Sequence, residues 1–140
     1  MKLFVIFWAV LLGSIKYTDT STVNISLNGI SSSKGTIFIN LYASENGFPT
    51  DMTKAIKSVK LPAEKSTMKY IFANLPKGTY AISVMHDENN NGKMDKNLLG
   101  IPTEGYCVSN NAKGFMNAPS FSDAKFELKK DIIQDLKLIY

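Results

Sequence analysis

From Thr22 onward, apolar and polar positions alternate with period two. Val23, Ile25 and Leu27 interleave with Asn24, Ser26 and Asn28, which predicts a strand with one buried face. Gly29 to Gly35 is rich in serine and glycine and reads as a turn. Thr36 to Ala43 is a second strand, with Ile37, Ile39 and Leu41 on one face and Phe38 and Tyr42 on the other. The two runs are expected to form a hairpin. Met52 to Leu61 suits a short helix through Ala55, Ile56 and Val59, or a strand through Ala55, Lys57, Val59 and Leu61. The strand, ending at Pro62, is the preferred reading. Ser66 to Ala73 alternates Met68, Tyr70 and Phe72, and Asn74 to Gly78 is a turn. Thr79 to His86 has the clearest alternation, with Tyr80, Ile82 and Val84 in step. The segment from Asp87 to Pro119 is polar, Gly- and Asn-rich and weakly periodic, which marks a long functional or anchored loop. Phe121 to Leu128 and Ile132 to Tyr140 are two closing strands. About seven short strands with no clear helix predict an all-β fold, an antiparallel β-sandwich.

The first residues follow a different pattern. Lys2 precedes an unbroken apolar run from Leu3 to Leu12, then small Gly13 and Ser14, then a polar stretch to Thr22. This is the layout of a secretory signal peptide, and the run is short for a membrane span, which needs about 20 apolar residues. Residues 1–20 are expected to be the leader, cleaved between Ser14 and Ser21, and residues 21–140 a single domain. The location that follows is exported: periplasm, cell surface or extracellular, with no stable membrane insertion after cleavage. A buried N-terminal strand or helix is the competing reading of the run.

Composition narrows the function classes. All 16 basic residues are lysine, so forked recognition of phosphate or carboxylate by arginine is ruled out. Past residue 20 there remain 14 lysines and 11 acids, a net charge of +3, and the lysines are scattered, which disfavours nucleic acid as a partner. One cysteine excludes an intrachain disulfide, and one histidine excludes a multi-histidine zinc site in one chain.

Candidate chemistry concentrates after the clearest strand. Asp87-Glu88-Asn89-Asn90-Asn91-Gly92-Lys93-Met94-Asp95 matches the first nine positions of an EF-hand-type loop. Asp87, Asn89 and Asn91 stand at positions one, three and five, Gly92 at the sharp turn, the Lys93 carbonyl at seven and Asp95 at nine. Ca²⁺ takes six to eight oxygens on a flexible turn, so alternate residues point inward. Position twelve is Leu98 instead of a bidentate glutamate, so only weak Ca²⁺ binding, with Kd about 10⁻⁴–10⁻³ M, is expected. Glu88 or Glu104 could supply the missing carboxylate. The same residues also suit a hairpin tip that caps its own backbone. His86 and Cys107 suggest a nucleophile pair on paper, although a structural histidine and an inert thiol are the plainer reading. Tyr42, Tyr70, Tyr80, Phe72 and Phe38 read as core and face residues of the sandwich.

Several of these pieces recur in one order. Leu75-Pro76-x-Gly78-Thr79-Tyr80-Ala81, His86-Asp87-Glu88-Asn89-x-Asn91-Gly92-Lys93-x-Asp95, Leu99-Gly100-Ile101-Pro102-x-Glu104-Gly105-Tyr106, Ser109-Asn110-Asn111-Ala112 and Pro119-Ser120-Phe121-x-Asp123-Ala124-x-Phe126 follow one another. Together they resemble the bacterial secreted family called domain of unknown function 2141, over roughly residues 22–140. Cys107 stands where that family's pattern favours a small residue. The resemblance implies an exported, single-domain sandwich of immunoglobulin-like or transthyretin-like type. It implies no activity and carries over no catalytic residue.

The function expected from these readings is a non-enzymatic exported binding or structural module. It would take an unknown protein, glycan or small molecule, and carry a Ca²⁺ loop formed by Asp87, Asn89, Asn91, Lys93 and Asp95. One alternative is a hydrolase using His86 with Asp87, Glu88 or Glu104. Another is a carrier of a small hydrophobic ligand, which would need a cavity between the sheets.

Overall fold

A computed structural model describes residues 18–140. The expected leader falls almost wholly on residues 1–17, outside the described residues. The described chain is all-β and has eight strands. They are β1 (Thr20–Ile30), β2 (Thr36–Tyr42), β3 (Lys57–Pro62), β4 (Ser66–Pro76), β5 (Gly78–Asp87), β6 (Gly105–Val108), β7 (Phe126–Leu128) and β8 (Ile132–Lys137). They form two sheets: three strands in the order β4-β1-β8, and five built on the order β3-β2-β5-β6 with β7 paired to the start of β5.

Alternation in the sequence becomes burial in the fold. Val23, Ile25 and Leu27 of β1 meet Ile37, Ile39 and Leu41 of β2 and Tyr80, Ile82 and Val84 of β5 in one core cluster. Strands β2 and β5 are buried on both faces. Their outer face is covered by Phe48 from the β2–β3 connection, Ala112 and Phe121, packed on Ala81, Val108 and Ala124. Phe48 stands edge-to-face with both Tyr42 and Phe121, an arrangement that favours aromatic pairs beyond the area they bury.

Four expectations are corrected. First, β1 and β2 do not form a hairpin. Strand β1 pairs with β4 and β8, and β2 with β3 and β5. The Gly29–Gly35 segment is therefore a crossover between sheets, which lets both apolar faces meet across the core. Second, the sandwich is not wholly antiparallel, because β8 runs parallel to β1. Third, Phe121 to Leu128 is not one strand: Phe121–Ala124 is a single helical turn, α1, and only Phe126–Leu128 is extended. Ser120 caps that turn by accepting from the Asp123 N–H. Fourth, the long Asp87–Pro119 segment contains β6 and a 3-10 turn at Ser109–Asn111. Met52 to Pro62 resolves into a 3-10 turn at Met52–Lys54 followed by β3, so the preferred strand holds from Lys57 onward.

Candidate cation-binding loop

Strand β5 delivers the site. Its inward positions end at His86, and its last residue, Asp87, turns to the outer side as the chain enters the loop. The Asp87 side chain is 1% exposed, and its two oxygens accept from the backbone N–H groups of Asn91 (3.1 Å) and Gly92 (2.7 Å). Asn89 Oδ1 accepts from the Asn91 N–H (3.1 Å), and Asn91 Oδ1 from the Lys93 N–H (2.9 Å). Each of these short polar side chains folds the backbone two to five residues ahead of it, the mechanism of an Asx turn. Gly92 takes φ +74°, the left-handed conformation that glycine adopts without strain.

The far end of the loop closes on the near end. The Asn89 and Asn91 side-chain amides both donate to the Asp95 carboxylate. Glu104, 4% exposed, accepts from the Glu88 N–H (3.0 Å) with Oε1 and from the Asp95 N–H (3.1 Å) with Oε2. Glu104 therefore staples the first and last turns of the loop together. Glu88 faces the other way: Ser32 and Ser31 hydroxyls donate to it, and those bonds, Ser32 first, hold its carboxyl below the usual range.

Asp87, Asp95 and Glu104 thus all bond to the backbone or amide N–H groups of one loop, and none of them makes a salt bridge within the described chain. Among the described residues the one ion pair is Lys77 with Asp19, elsewhere in the molecule. Buried charge is ordinarily paired or bound to a metal; here backbone and amide N–H groups supply the hydrogen bonds. Each carboxylate oxygen has capacity for more than one partner, so lone pairs remain. The donor set of oxygens, with no sulfur or imidazole, fits a hard cation such as Ca²⁺. Among the described residues, however, no group of three or more His, Cys, Asp and Glu side chains is placed to hold a metal ion. The ligand set expected from the sequence draws in good part on asparagine and a backbone carbonyl.

The remaining candidates are placed as follows. His86 is fully buried, with Nε2 at 2.7 Å from the Lys34 carbonyl and Nδ1 at 2.7 Å from the Tyr140 hydroxyl. A carbonyl can only accept, so Nε2–H donates to Lys34, and Nδ1 shares a hydrogen bond with the Tyr140 hydroxyl. Both ring nitrogens are occupied by structural partners. Cys107 lies in the core opposite Val84, and burial pushes its thiol up to about 12. No His86–Cys107 pair forms. An open hollow of about 410 Å³ beside the loop is lined by Gly35, Phe38, Lys60, Pro62, Asp87 and Asn90. It sits outside the sandwich, not between the sheets, where a hydrophobic carrier would keep its ligand.

A polar staple at mid-β5, away from the loop, escaped the sequence reading. Ser109 Oγ donates to the Ala124 carbonyl (2.6 Å) and accepts from the Ile82 N–H (2.9 Å). Asn110 donates to the Ala124 and Lys125 carbonyls. Asn111 donates to the Asp135 carbonyl and accepts from the Lys137 N–H, occupying the free edge of β8 as a strand would. Two adjacent asparagines, both at positive φ, are the sequence signal for such a device.

Fold and site together define a two-sheet β-sandwich module with a self-capped, acidic, asparagine-rich loop at one end. The chain belongs to the DUF2141 family, described as uncharacterized protein conserved in bacteria, whose model matches residues 25–134. No curated protein and no solved structure matches the chain.

Proposed function

We propose that this protein is an exported, non-enzymatic β-sandwich module whose Asp87–Asp95 loop holds a Ca²⁺ ion. The ligands would be the side chains of Asp87, Asn89, Asn91 and Asp95 and the Lys93 carbonyl, with Glu104 in place of the missing position-twelve glutamate. One observation carries the reading: the loop is folded by oxygen-bearing side chains, with Asp87, Asn89 and Asn91 accepting from its backbone N–H groups and the buried Glu104 joining its two ends, and none of its carboxylates makes a salt bridge among the described residues. The module would act by presenting this ordered end to a protein, glycan or small molecule. The apolar run Leu3–Leu12 behind Lys2 supports export.

The test is thermal unfolding in EDTA and across a millimolar Ca²⁺ titration, with Mg²⁺ as control. A ligand bound only by the native state adds RT ln(1 + [L]/Kd), about 1.4 kcal/mol at ten times Kd. The parent is expected to gain stability with Ca²⁺ and little with Mg²⁺. Asp95→Asn, which leaves the Asp87 turn and the Glu104 staple in place, gives up one of the two asparagine-amide hydrogen bonds, so it should be less stable in EDTA by about 0.5–1.5 kcal/mol and should lose the Ca²⁺ response. An equal response in both proteins would sink the assignment.

A further inference from the structure

Asparagine followed by glycine occurs three times in the sequence: Asn28-Gly29, Asn46-Gly47 and Asn91-Gly92. The pair has an intrinsic chemistry. Glycine has no Cβ, so its backbone nitrogen can close on the preceding side-chain amide where another residue would be hindered. The fold holds two of the three pairs against that closure. In the loop, the Gly92 N–H donates to Asp87 Oδ2 (2.7 Å), the Asn91 amide donates to Asp95 Oδ1 (2.8 Å), and Asn91 Oδ1 accepts from the Lys93 N–H (2.9 Å). Nucleophile and leaving group are both tied, and the Asp87 carboxylate opposes loss of the Gly92 proton. Asn28 is fixed within β1, between Thr67 of β4 and Lys137 of β8. Its Oδ1 accepts from the Thr67 hydroxyl (3.0 Å), its amide donates to Ser26 Oγ (3.4 Å), and its carbonyl accepts from the Leu138 N–H (2.9 Å).

Asn46-Gly47 has no such restraint. Asn46 is exposed. The Phe48 N–H donates to the Glu45 carbonyl (3.1 Å), so Asn46 and Gly47 are the central residues of a turn, and Gly47 takes φ +80°. The turn uses the N–H of Phe48 and leaves that of Gly47 without a partner among the described residues. The Asn46 side chain likewise bonds to none of them. We propose that Asn46 is a site of spontaneous covalent modification, deamidation through a cyclic imide, and that the fold confines this reaction to Asn46. The Gly47 nitrogen gives its proton to solvent base and attacks Asn46 Cγ. The new N–Cγ bond closes a succinimide ring as the Cγ–Nδ2 bond breaks, and the amide leaves as ammonia with a proton taken from solvent. Water then adds to either imide carbonyl and that C–N bond opens. The product is an aspartate or a β-linked isoaspartate at position 46; in sum, amide and water give acid and ammonia. Conversion lowers the net charge of +4 by one, in a turn that already carries Glu45 and leads to Asp51.

The experiment incubates the full chain in mildly alkaline buffer with EDTA, so its outcome does not depend on the cation reading. Conversion is followed by cation-exchange chromatography, and peptide mass spectrometry assigns it to a residue. In the folded protein Asn46 should convert at least about tenfold faster than Asn91 or Asn28, because those two must wait for their loop or strand to open. In guanidinium chloride the three rates should come within a few-fold of one another. Asn46→Gln should abolish the fast conversion. Because the Asn46 side chain bonds to nothing in the fold, that variant should keep the parent's unfolding midpoint. Asn46 converting no faster than Asn91 in the folded protein would overturn the proposal. Fast conversion that persists in Asn46→Gln would overturn it as well. So would an Asn91 that stays slow in guanidinium chloride, since the difference would then lie in the local sequence and not in the fold.

Discussion

Single residues in this molecule mostly settle backbone accounts that the strands leave open. Ser109, Asn110, Asn111, Glu104 and His86 all spend their polar atoms on main-chain groups or on one structural partner, and no buried side-chain nitrogen or oxygen among the described residues lacks a partner. Cys107 is the residue with chemistry but no polar partner. Its thiol sits in the core and holds its proton to about pH 12, and the thiolate is the reactive form. A maleimide at pH 8 should therefore label Cys107 only as fast as the fold opens, and promptly in denaturant. Labelling of the native protein at the rate of a free thiol would contradict the burial. The same shift has a sign for stability. An unfolded thiol releases its proton near pH ~8.5, so between there and about 12 the folded chain binds more protons. This contribution is full below the unfolded value and is lost as pH rises through the window.

At the scale of elements, the two glycines that frame the loop make opposite demands. Gly35 (φ +74°) opens β2, and a Cβ there would stand 1.9 Å from the Asp87 carbonyl oxygen. Gly92 has the same φ, but a Cβ would meet nothing within 4 Å. Gly92→Ala should cost only the strain of the left-handed backbone, about 1–2 kcal/mol. Gly35→Ala adds a backbone collision that the β2–β5 pairing cannot relax, and should cost about 3 kcal/mol or more. Urea unfolding of the two variants checks this; a Gly35 variant no weaker than the Gly92 variant would disprove the close approach. The contrast also marks what can be read from sequence. The need for φ > 0 at Gly92 is visible in the D-x-N-x-N-G spacing, because it is local. The close contact at Gly35 is not, because it depends on Asp87 arriving from another strand. Strands β1, β2, β4 and β5 announce themselves by alternation for the same local reason. Their pairing does not, and so the expected β1–β2 hairpin gave way to a crossover. Helical turn α1 was legible in principle through Ser120-x-x-Asp123, a cap signature, but the apolar spacing of Phe121, Phe126 and Leu128 masked it. Glu104 and Glu88 were equal candidates in the sequence, and only the return of β6 beside β5 brings Glu104 onto the loop backbone while Glu88 faces Ser31 and Ser32.

Across the whole molecule, the two sheets are tied together at the loop end by Tyr140. Strand β8 belongs to the three-stranded sheet through β1, yet Ile139 bridges to Tyr106 of the five-stranded sheet. The Tyr140 hydroxyl then accepts from the Ser31 N–H (3.0 Å), just past β1, and shares a hydrogen bond with His86 Nδ1 on β5 (2.7 Å). Gly105 makes room for the ring, since a Cβ there would sit 2.5 Å from it. One phenol thus joins a crossover, a central strand and the closing strand directly below the Asp87–Glu104 site. Tyr140→Phe keeps the ring and removes only the hydroxyl, leaving the buried His86 Nδ1 without its hydrogen-bond partner. The cost should be about 1–3 kcal/mol, that of an unsatisfied buried polar atom rather than of an exposed contact. Because Asp87, Asp95 and Glu104 draw their hydrogen bonds from within the loop and not from His86, the variant should retain the Ca²⁺-dependent increment in unfolding midpoint that the proposed function predicts for the parent. Both quantities come from one set of melts. A midpoint in EDTA unchanged from the parent would show that Tyr140 does not fasten this end of the sandwich. A lowered midpoint with the increment preserved would show that the tie between the sheets and the order of the loop are separate properties, carried by different residues within the same few ångströms.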